Sequence, residues 1–326
     1  MQAIVMTATG GPEVLAPREV PAPRPTAGQV LVRTEAIPVL YPETMLRSGA
    51  FPMPAPLPLV FGTQAAGVVT EVGEGTDATL IGQRVMVASN TFGTYAEWVC
   101  VPAESVTTIP DGLSAIDAAA VTMSASVAIP LLETAALTGT ETVLIQAAAT
   151  GVGGYLTQLA EEFGAARVIV TAGGPAKMDR ARELGADEVL DHRDPEWPQR
   201  LPEILGGTTL DVVFDAIGGD IAATLLDVMT PLRGRMLGYG LLSGSFAQVT
   251  ATDLTMRGLT FIGCAGPDWL AGVDRARGAA LERAARGSLT PLTATVMPLA
   301  RAATAHQLVE ERTALGTIVL RPGPTS

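Results

Sequence analysis

The sequence predicts an α/β protein of two domains, with a doubly wound parallel sheet inserted into a barrel-like domain of short antiparallel strands. Three observations predict it. Strand-like pieces separated by glycines fill the first third of the chain, at 65–69, 82–87 and 93–99. Strand and helix patterns then alternate from about residue 120 to 265, which implies right-handed crossovers within a parallel sheet. A helical pattern at 272–286 and a last strand at 318–320 close the chain. The expected division is therefore 1–119 with 266–326, and 120–265, a size of 326 residues being enough for two cores.

Taken in order, residues 1–5 alternate as a strand, and Pro21, Pro23 and Pro25 form an extended connector to a strand at 30–33. The stretch 38–58 is rich in proline and turn residues, and no element is assigned to it. Residues 114–137 are alanine-rich and helical apart from Pro130. The informative stretch is 143–154, running on to Ala160. It begins as a buried strand and ends with Leu156, Leu159, Ala160 and Phe163 on one helical face. Between them lies an elbow of small residues. Small side chains let the backbone approach a diphosphate, and the helix N-terminus offers N–H groups and a positive dipole end. The spacing fits Ala147-x-x-Thr150-x-x-Gly153 or Ala148-x-x-Gly151-x-x-Gly154 rather than Gly-x-Gly-x-x-Gly, and packing alone also produces such turns. Further strands follow at 168–171, 188–190, 211–215 and 235–240, with helices at 176–184 and 221–229.

A net charge of −12 argues against nucleic acid or an anionic membrane as the main partner. No apolar run of about 20 residues and no leader pattern is read, so the expectation is a soluble cytoplasmic protein. Cys100, Cys264, His192 and His306 are the whole supply of cysteine and histidine, which predicts neither a disulfide scaffold nor a metal site.

The loop 171–177 lacks the acid that a turn preferring NAD offers to the ribose hydroxyls. It carries Lys177 instead, the single lysine beside twenty arginines (21 basic residues less one). An ammonium suits a phosphate, so the reading is recognition of a 2′-phosphate, with His192 and Arg193 closing the pocket from the side. Against it stands a merely solvated lysine. His306 reads as a packed or capping histidine and Asp215 as a structural acid at a strand end.

Several motifs together carry a resemblance: Arg47-Ser48-Gly49, Gly62-Thr63-Gln64-Ala65-Ala66-Gly67, Gly82-x-Arg84-Val85, Tyr95-Ala96-Glu97, Leu184-Gly185-Ala186-Asp187 and Ala305-His306-x-Leu308-x-Glu310. With the dinucleotide turn, they make the whole chain resemble the medium-chain dehydrogenase/reductase superfamily, in its zinc-free quinone oxidoreductase (zeta-crystallin-like) branch. The resemblance implies a GroES-like β-barrel-type catalytic domain plus an inserted Rossmann sheet. It places NADPH contacts at Thr150, Gly151, Val152, Gly153, Gly173, Lys177 and His192, and nicotinamide-side contacts at Tyr239, Gly240, Leu241, Cys264 and Ala265. His192 replaces a tyrosine of some relatives, and Gly62-Thr63-Gln64 replaces the Gly-His-Glu of zinc-dependent ones. A homodimer joined through the sheet edge at 259–262 is also implied.

Departures concentrate on the substrate side. Leu40, Glu43 and Met45 stand where this family carries Asn, Asp and Tyr, Phe51 stands where a tyrosine is common, and Leu241 replaces an Asn. The expected substrate pocket is Leu40, Tyr41, Met45, Phe51, Thr63 and Ser124. Either these positions have drifted, or the pocket fits a bulky apolar molecule. The implied activity is hydride delivery from NADPH to a quinone or to the C=C of an enone, without metal. The alternative is a non-catalytic NADPH-binding sensor or interaction protein. Donors for the substrate oxygen are sought among Tyr41, Thr63, Gln64, Asn90 and Ser124, with Tyr41 the choice for a catalytic group.

Overall fold

The computed structural model describes residues 1–53, 55–89 and 91–323. It contains two compact units, Met1–Met123 with Leu281–Ser326, and Ser124–Ala280. In the first, β1 (Gln2–Met6), β2 (Leu15–Glu19) and β3 (Gln29–Val39) precede α1 (Tyr41–Ser48). β4 (Leu59–Val60), β5 (Gln64–Val72), β6 (Arg84–Ala88), β7 (Trp98–Pro102) and β8 (Val106–Thr108) follow. α2 (Ala115–Ala135) then leads into the second unit.

Two points differ from the sequence reading. The proline-rich stretch contains α1, because Pro42 sits in the first helical turn, where its missing N–H is no loss. Gly49 closes that helix in the left-handed conformation, at φ 85°. The strand expected at 93–99 begins at Trp98 instead; Tyr95 leaves the strand path to pack in a core with Ile4, Met6, Phe61 and Ile318.

The second unit runs β9 (Glu141–Ile145), α3 (Gly151–Leu159), β10 (Ala165–Ala172), α4 (Pro175–Glu183) and β11 (Glu188–Asp191). It continues through α5 (Leu201–Leu205), β12 (Val212–Asp215), α6 (Ile221–Leu225), β13 (Arg235–Gly238), α7 (Ala251–Arg257), β14 (Thr260–Gly263) and α8 (Pro267–Ala285). The chain returns to the first unit with β15 (Thr293–Pro298), α9 (Ala302–Glu310) and β16 (Thr317–Arg321).

β3 is the spine of the first unit: it pairs with β5, β7 and β16, while β1 joins β2 and β4 in a smaller sheet. Val30, Val32, Val69, Val85, Val87, Val99 and Val101 fill the space behind it. In the second unit six parallel strands lie in the order β11-β10-β9-β12-β13-β14, so the order reverses at β9 and β12. β9 and β12 are buried at every residue, as strands covered on both faces must be. Ligands bind doubly wound sheets outside the carboxyl ends of the strands at such a reversal.

The boundaries fall at 123/124 and 280/281, inside α2 and α8, rather than at 119/120 and 265/266. The change in pattern marks where strands stop alternating, whereas both helices carry the chain further before contacts change units. α2 also corrects the absence of a long apolar run: within its 21 residues an apolar window reaches a mean hydropathy of 1.7, with 67% of that window buried within the protein. Thr122 and Ser126, on the same helix, are buried as well.

Candidate functional site

The elbow after β9 is shaped by close backbone contacts. Ala147 and Gly151 take left-handed backbone conformations, at φ 53° and 54°. Thr150 precedes α3 as an extended residue whose side chain makes no capping bond. A Cβ on Gly153 would sit 2.5 Å from the Ala147 carbonyl oxygen and 2.9 Å from that of Gln146. Glycine there lets α3 lie against the end of β9, so the helix N-terminus meets the sheet edge. Val152 follows on the half-buried side of the first turn, and Ser124 Oγ lies 3.9 Å from the Cβ position of Gly151. Ser124 thus faces the dinucleotide turn.

The next strand end collects charge. Ala172 of β10 pairs in register with Asp191 of β11, so Gly173-Gly174 and His192-Arg193 emerge side by side. Asp191 Oδ1 accepts from Gly174 N at 3.1 Å, Arg193 N at 3.0 Å and Arg193 Nε at 3.2 Å. Its Oδ2 accepts from Arg193 Nη2 at 3.0 Å. These bonds, the Arg193 side chain foremost, hold the Asp191 carboxyl down at about 2. His192 Nδ1 is 3.2 Å from Thr171 Oγ1, and a Cβ on Gly173 would come within 2.8 Å of His192 Nε2. Lys177, half-buried, rises from the first turn of α4 at the same edge. The acid missing from the loop 171–177 is thus delivered by the neighbouring strand.

Further along the sheet, β12 ends in Asp215, and Tyr239 and Cys264 directly follow β13 and β14. Asp215 Oδ1 accepts from Ile217 N and Gly218 N at 3.0 and 2.8 Å, which makes it the structural acid foreseen. Burial pushes its carboxyl up. A Cβ on Gly240 would lie 2.4 Å from the Ala216 carbonyl oxygen, so glycine there lets two strand-end loops touch. The Tyr239 hydroxyl is buried with no hydrogen-bond partner among the described residues, and burial drives its pKa well up. Burial also pushes the Cys264 thiol up to about 11, which leaves it protonated. Leu241 is half-buried and Ala265 exposed.

In the first unit a buried carboxylate organises the substrate-side segment. Glu43 Oε1 accepts from Thr63 N and Thr63 Oγ1, each at 2.8 Å; Oε2 accepts from Leu40 N at 3.1 Å and Tyr95 OH at 2.8 Å. Burial raises the pKa of Glu43, and the four donors oppose that. The Tyr95 oxygen is 3.0 Å from His306 Nε2. Because the Tyr95 proton goes to Glu43, His306 Nε2 must carry the other, and burial followed by Arg47 holds the imidazole down at about 3. Arg47, itself buried, bonds Gly10 O and Glu310. Tyr41 opens α1 with the Arg312 guanidinium 5.8 Å over its ring, and Met45 O accepts from Phe51 N at 3.1 Å. Among the described residues no group of three His, Cys, Asp or Glu is placed to hold a metal ion.

Comparison with known proteins agrees with both halves. The family described as "Alcohol dehydrogenase GroES-like domain" matches residues 26–111, and "Zinc-binding dehydrogenase" matches 151–284. A quinone oxidoreductase of Salmonella typhimurium is 36% identical over 76% of each chain. A 2-haloacrylate reductase of a Burkholderia species is 33% identical over 99% of each. This chain belongs to the quinone oxidoreductase family of the medium-chain dehydrogenase/reductase superfamily. The crystal structure of the Escherichia coli quinone oxidoreductase complexed with NADPH superposes with a TM-score of 0.88 at 30% identity, covering 99% of this chain and 100% of that one.

As a member of the quinone oxidoreductase family, the chain brings together Leu40, Tyr41, Met45, Phe51 and Thr63 around α1. Thr150 to Gly153 gather with Ser124 at one strand end, and Gly173, Lys177 and His192 at the next. Asn90 lies outside the described residues. Thr63 is corrected as a donor, since its hydroxyl proton is committed to Glu43 and its oxygen can only accept further. Sequence reasoning missed Glu43 as a hub, the Tyr95–His306 bond and the Asp191–Arg193 pair. Glu43 and Tyr95 are 52 positions apart and Tyr95 and His306 are 211 apart, and no local pattern signals such partners.

Proposed function

We propose that the protein is an NADPH-dependent reductase that reduces a quinone, or the C=C of an α,β-unsaturated carbonyl compound, without metal. The observation that carries the reading is the strand-end edge where Gly153 lets α3 meet β9 while Lys177, His192 and Arg193 collect at α4. That edge fits NADPH. The turn carries only small side chains, with glycine at 151 and 153, where a diphosphate must pass, and the α4 edge offers cationic groups to a 2′-phosphate. Bound NADPH supplies the hydride. Thr150, Gly151, Val152 and Gly153 bind the diphosphate; Gly173, Lys177 and His192 bind the phosphorylated ribose. Tyr239, Gly240, Leu241, Cys264 and Ala265 orient the nicotinamide end. Leu40, Met45 and Phe51 give the substrate side an apolar lining that excludes water. Tyr41 is the donor that meets negative charge on the substrate oxygen, and a quinone can take its protons from solvent.

The net charge of −12 fits an enzyme in solution, and the cytoplasm is the location we propose. β14 is the last strand of its sheet, and Leu232 and Met256 are exposed at 81% and 78%, which supports pairing of two copies along that edge. Oxidation of NADPH, followed against quinones, short enals and larger cyclic enones, tests the activity. Steady consumption with at least one is expected; tight NADPH binding with none would make the protein a sensor or interaction partner. Lys177→Glu should raise KM for NADPH far more than for NADH, since a hydrogen bond between charged groups contributes about 1.5–3 kcal/mol. Equal changes would remove the 2′-phosphate assignment.

A further inference from the structure

The Asp191–Arg193 pair extends the NADPH reading and rests on it. Both residues lie at the end of β11, and the in-register pairing of Ala172 with Asp191 sets them beside the N-terminus of α4. Asp191 accepts from the amide of Gly174, the residue that caps α4, so the carboxylate stands at the entrance to that helix. In doubly wound folds the carboxylate that accepts the ribose hydroxyls of NAD comes from the end of the second strand; Asp191 reaches the same edge from the third, through its bond to Gly174 N, and a bare carboxylate there repels a 2′-phosphate. Here both of its oxygens are taken up by Arg193, in a two-point fork from Nε and Nη2. The guanidinium lies over Gly174: a Cβ built there would be 2.4 Å from Arg193 Cζ, so a larger residue at 174 would displace the guanidinium from this position. Arg193 remains 59% exposed and Asp191 26%, so the pair meets an incoming ligand with the arginine outermost.

We propose that Arg193 is a specificity-determining residue: by covering Asp191 it turns a site fit for a ribose hydroxyl into one fit for a 2′-phosphate. With Arg193 present the edge holds Lys177 and a neutralised acid. Without it, the carboxylate faces the ligand and cancels Lys177. Loss of Arg193 should then invert cofactor preference rather than weaken binding evenly.

Equilibrium titration of the full chain with NADPH and with NADH, by protein fluorescence or calorimetry, tests this without turnover. The wild-type protein is expected to bind NADPH more tightly. Arg193→Ala should weaken NADPH by about tenfold or more, the scale of a charge-assisted contact, and leave NADH unchanged or tighter. Adding Asp191→Asn to Arg193→Ala keeps an acceptor for Gly174 N but removes the charge, and should restore NADPH preference. Equal weakening of both cofactors by Arg193→Ala, or no recovery in the double variant, would overturn the assignment. A wild-type protein that binds both cofactors equally would instead overturn the NADPH reading itself, whatever Arg193 does.

Discussion

Tyr95 donates its hydroxyl to Glu43 Oε2 at 2.8 Å, and both residues are fully enclosed, at 0% and 1% exposure. Through Glu43 this bond reaches the amides of Leu40 and Thr63, in the segments proposed to line the substrate side. Tyr95→Phe keeps the ring packed edge-on against Phe61 while leaving Glu43 Oε2 with Leu40 N alone and stranding the Nε2–H of His306. Leaving buried polar groups unpaired costs about 1–3 kcal/mol each. Urea unfolding should show a loss in that range; a change under roughly half a kcal/mol, the scale of an ordinary surface substitution, would count against the network.

Acid should attack the same network. His306 is held at about 3 in the folded chain against an ordinary value of 6.5, mainly by burial. Between those values the unfolded chain binds a proton that the folded chain refuses. Stability is therefore complete above pH 6.5 and falls as pH drops towards 3, by at most about 1.4 kcal/mol per unit. His306→Gln retains a donor for Tyr95 but cannot titrate. The stability difference between wild type and variant should be constant above pH 6.5 and shift against the wild type below it. A difference that does not vary between pH 7 and 4.5 would contradict the buried neutral imidazole.

Gly153→Ala should disturb fold and binding together. The added methyl meets backbone carbonyl oxygens, 2.5 and 2.9 Å away, which cannot rotate aside as a side chain can. Overpacking of this kind costs about 1–3 kcal/mol. The lowered melting temperature should come with weakened NADPH binding, and unchanged binding would separate α3 from the cofactor.

Tyr41 and Thr63 should behave oppositely. Tyr41→Phe removes the proposed donor and should lower kcat on the order of a hundredfold, with the melting temperature unchanged. Thr63→Val removes a bond to Glu43 and should lower stability more than it lowers kcat. The reverse pattern would exchange their roles.

Much of this was legible in the sequence because it follows local rules. The β9–α3 elbow announced itself through apolar runs and small residues, and Lys177 through being the chain's single lysine. α1 was hidden because prolines and turn residues look alike whether they open a helix or a loop. Asp191 was passed over because the search for an acid followed the chain past β10, whereas register brings it from β11. The partners of Glu43, Tyr95, Arg47 and His306 are set by tertiary packing over distances that no window spans.

The tie between Arg47 and Glu310, 263 positions apart, fixes an order of assembly. During synthesis β3 must wait for β16, and α1 for α9, so the first unit stays unfinished until β16 emerges. The contiguous 124–280 stretch has no such wait and can acquire its fold while still attached to the ribosome. Limited proteolysis of a chain truncated after residue 300 should find that stretch protected and α1 cut, and an α1 already resistant would refute the sequence of events. The half proposed to grip the cofactor is thus born before the half proposed to receive the substrate.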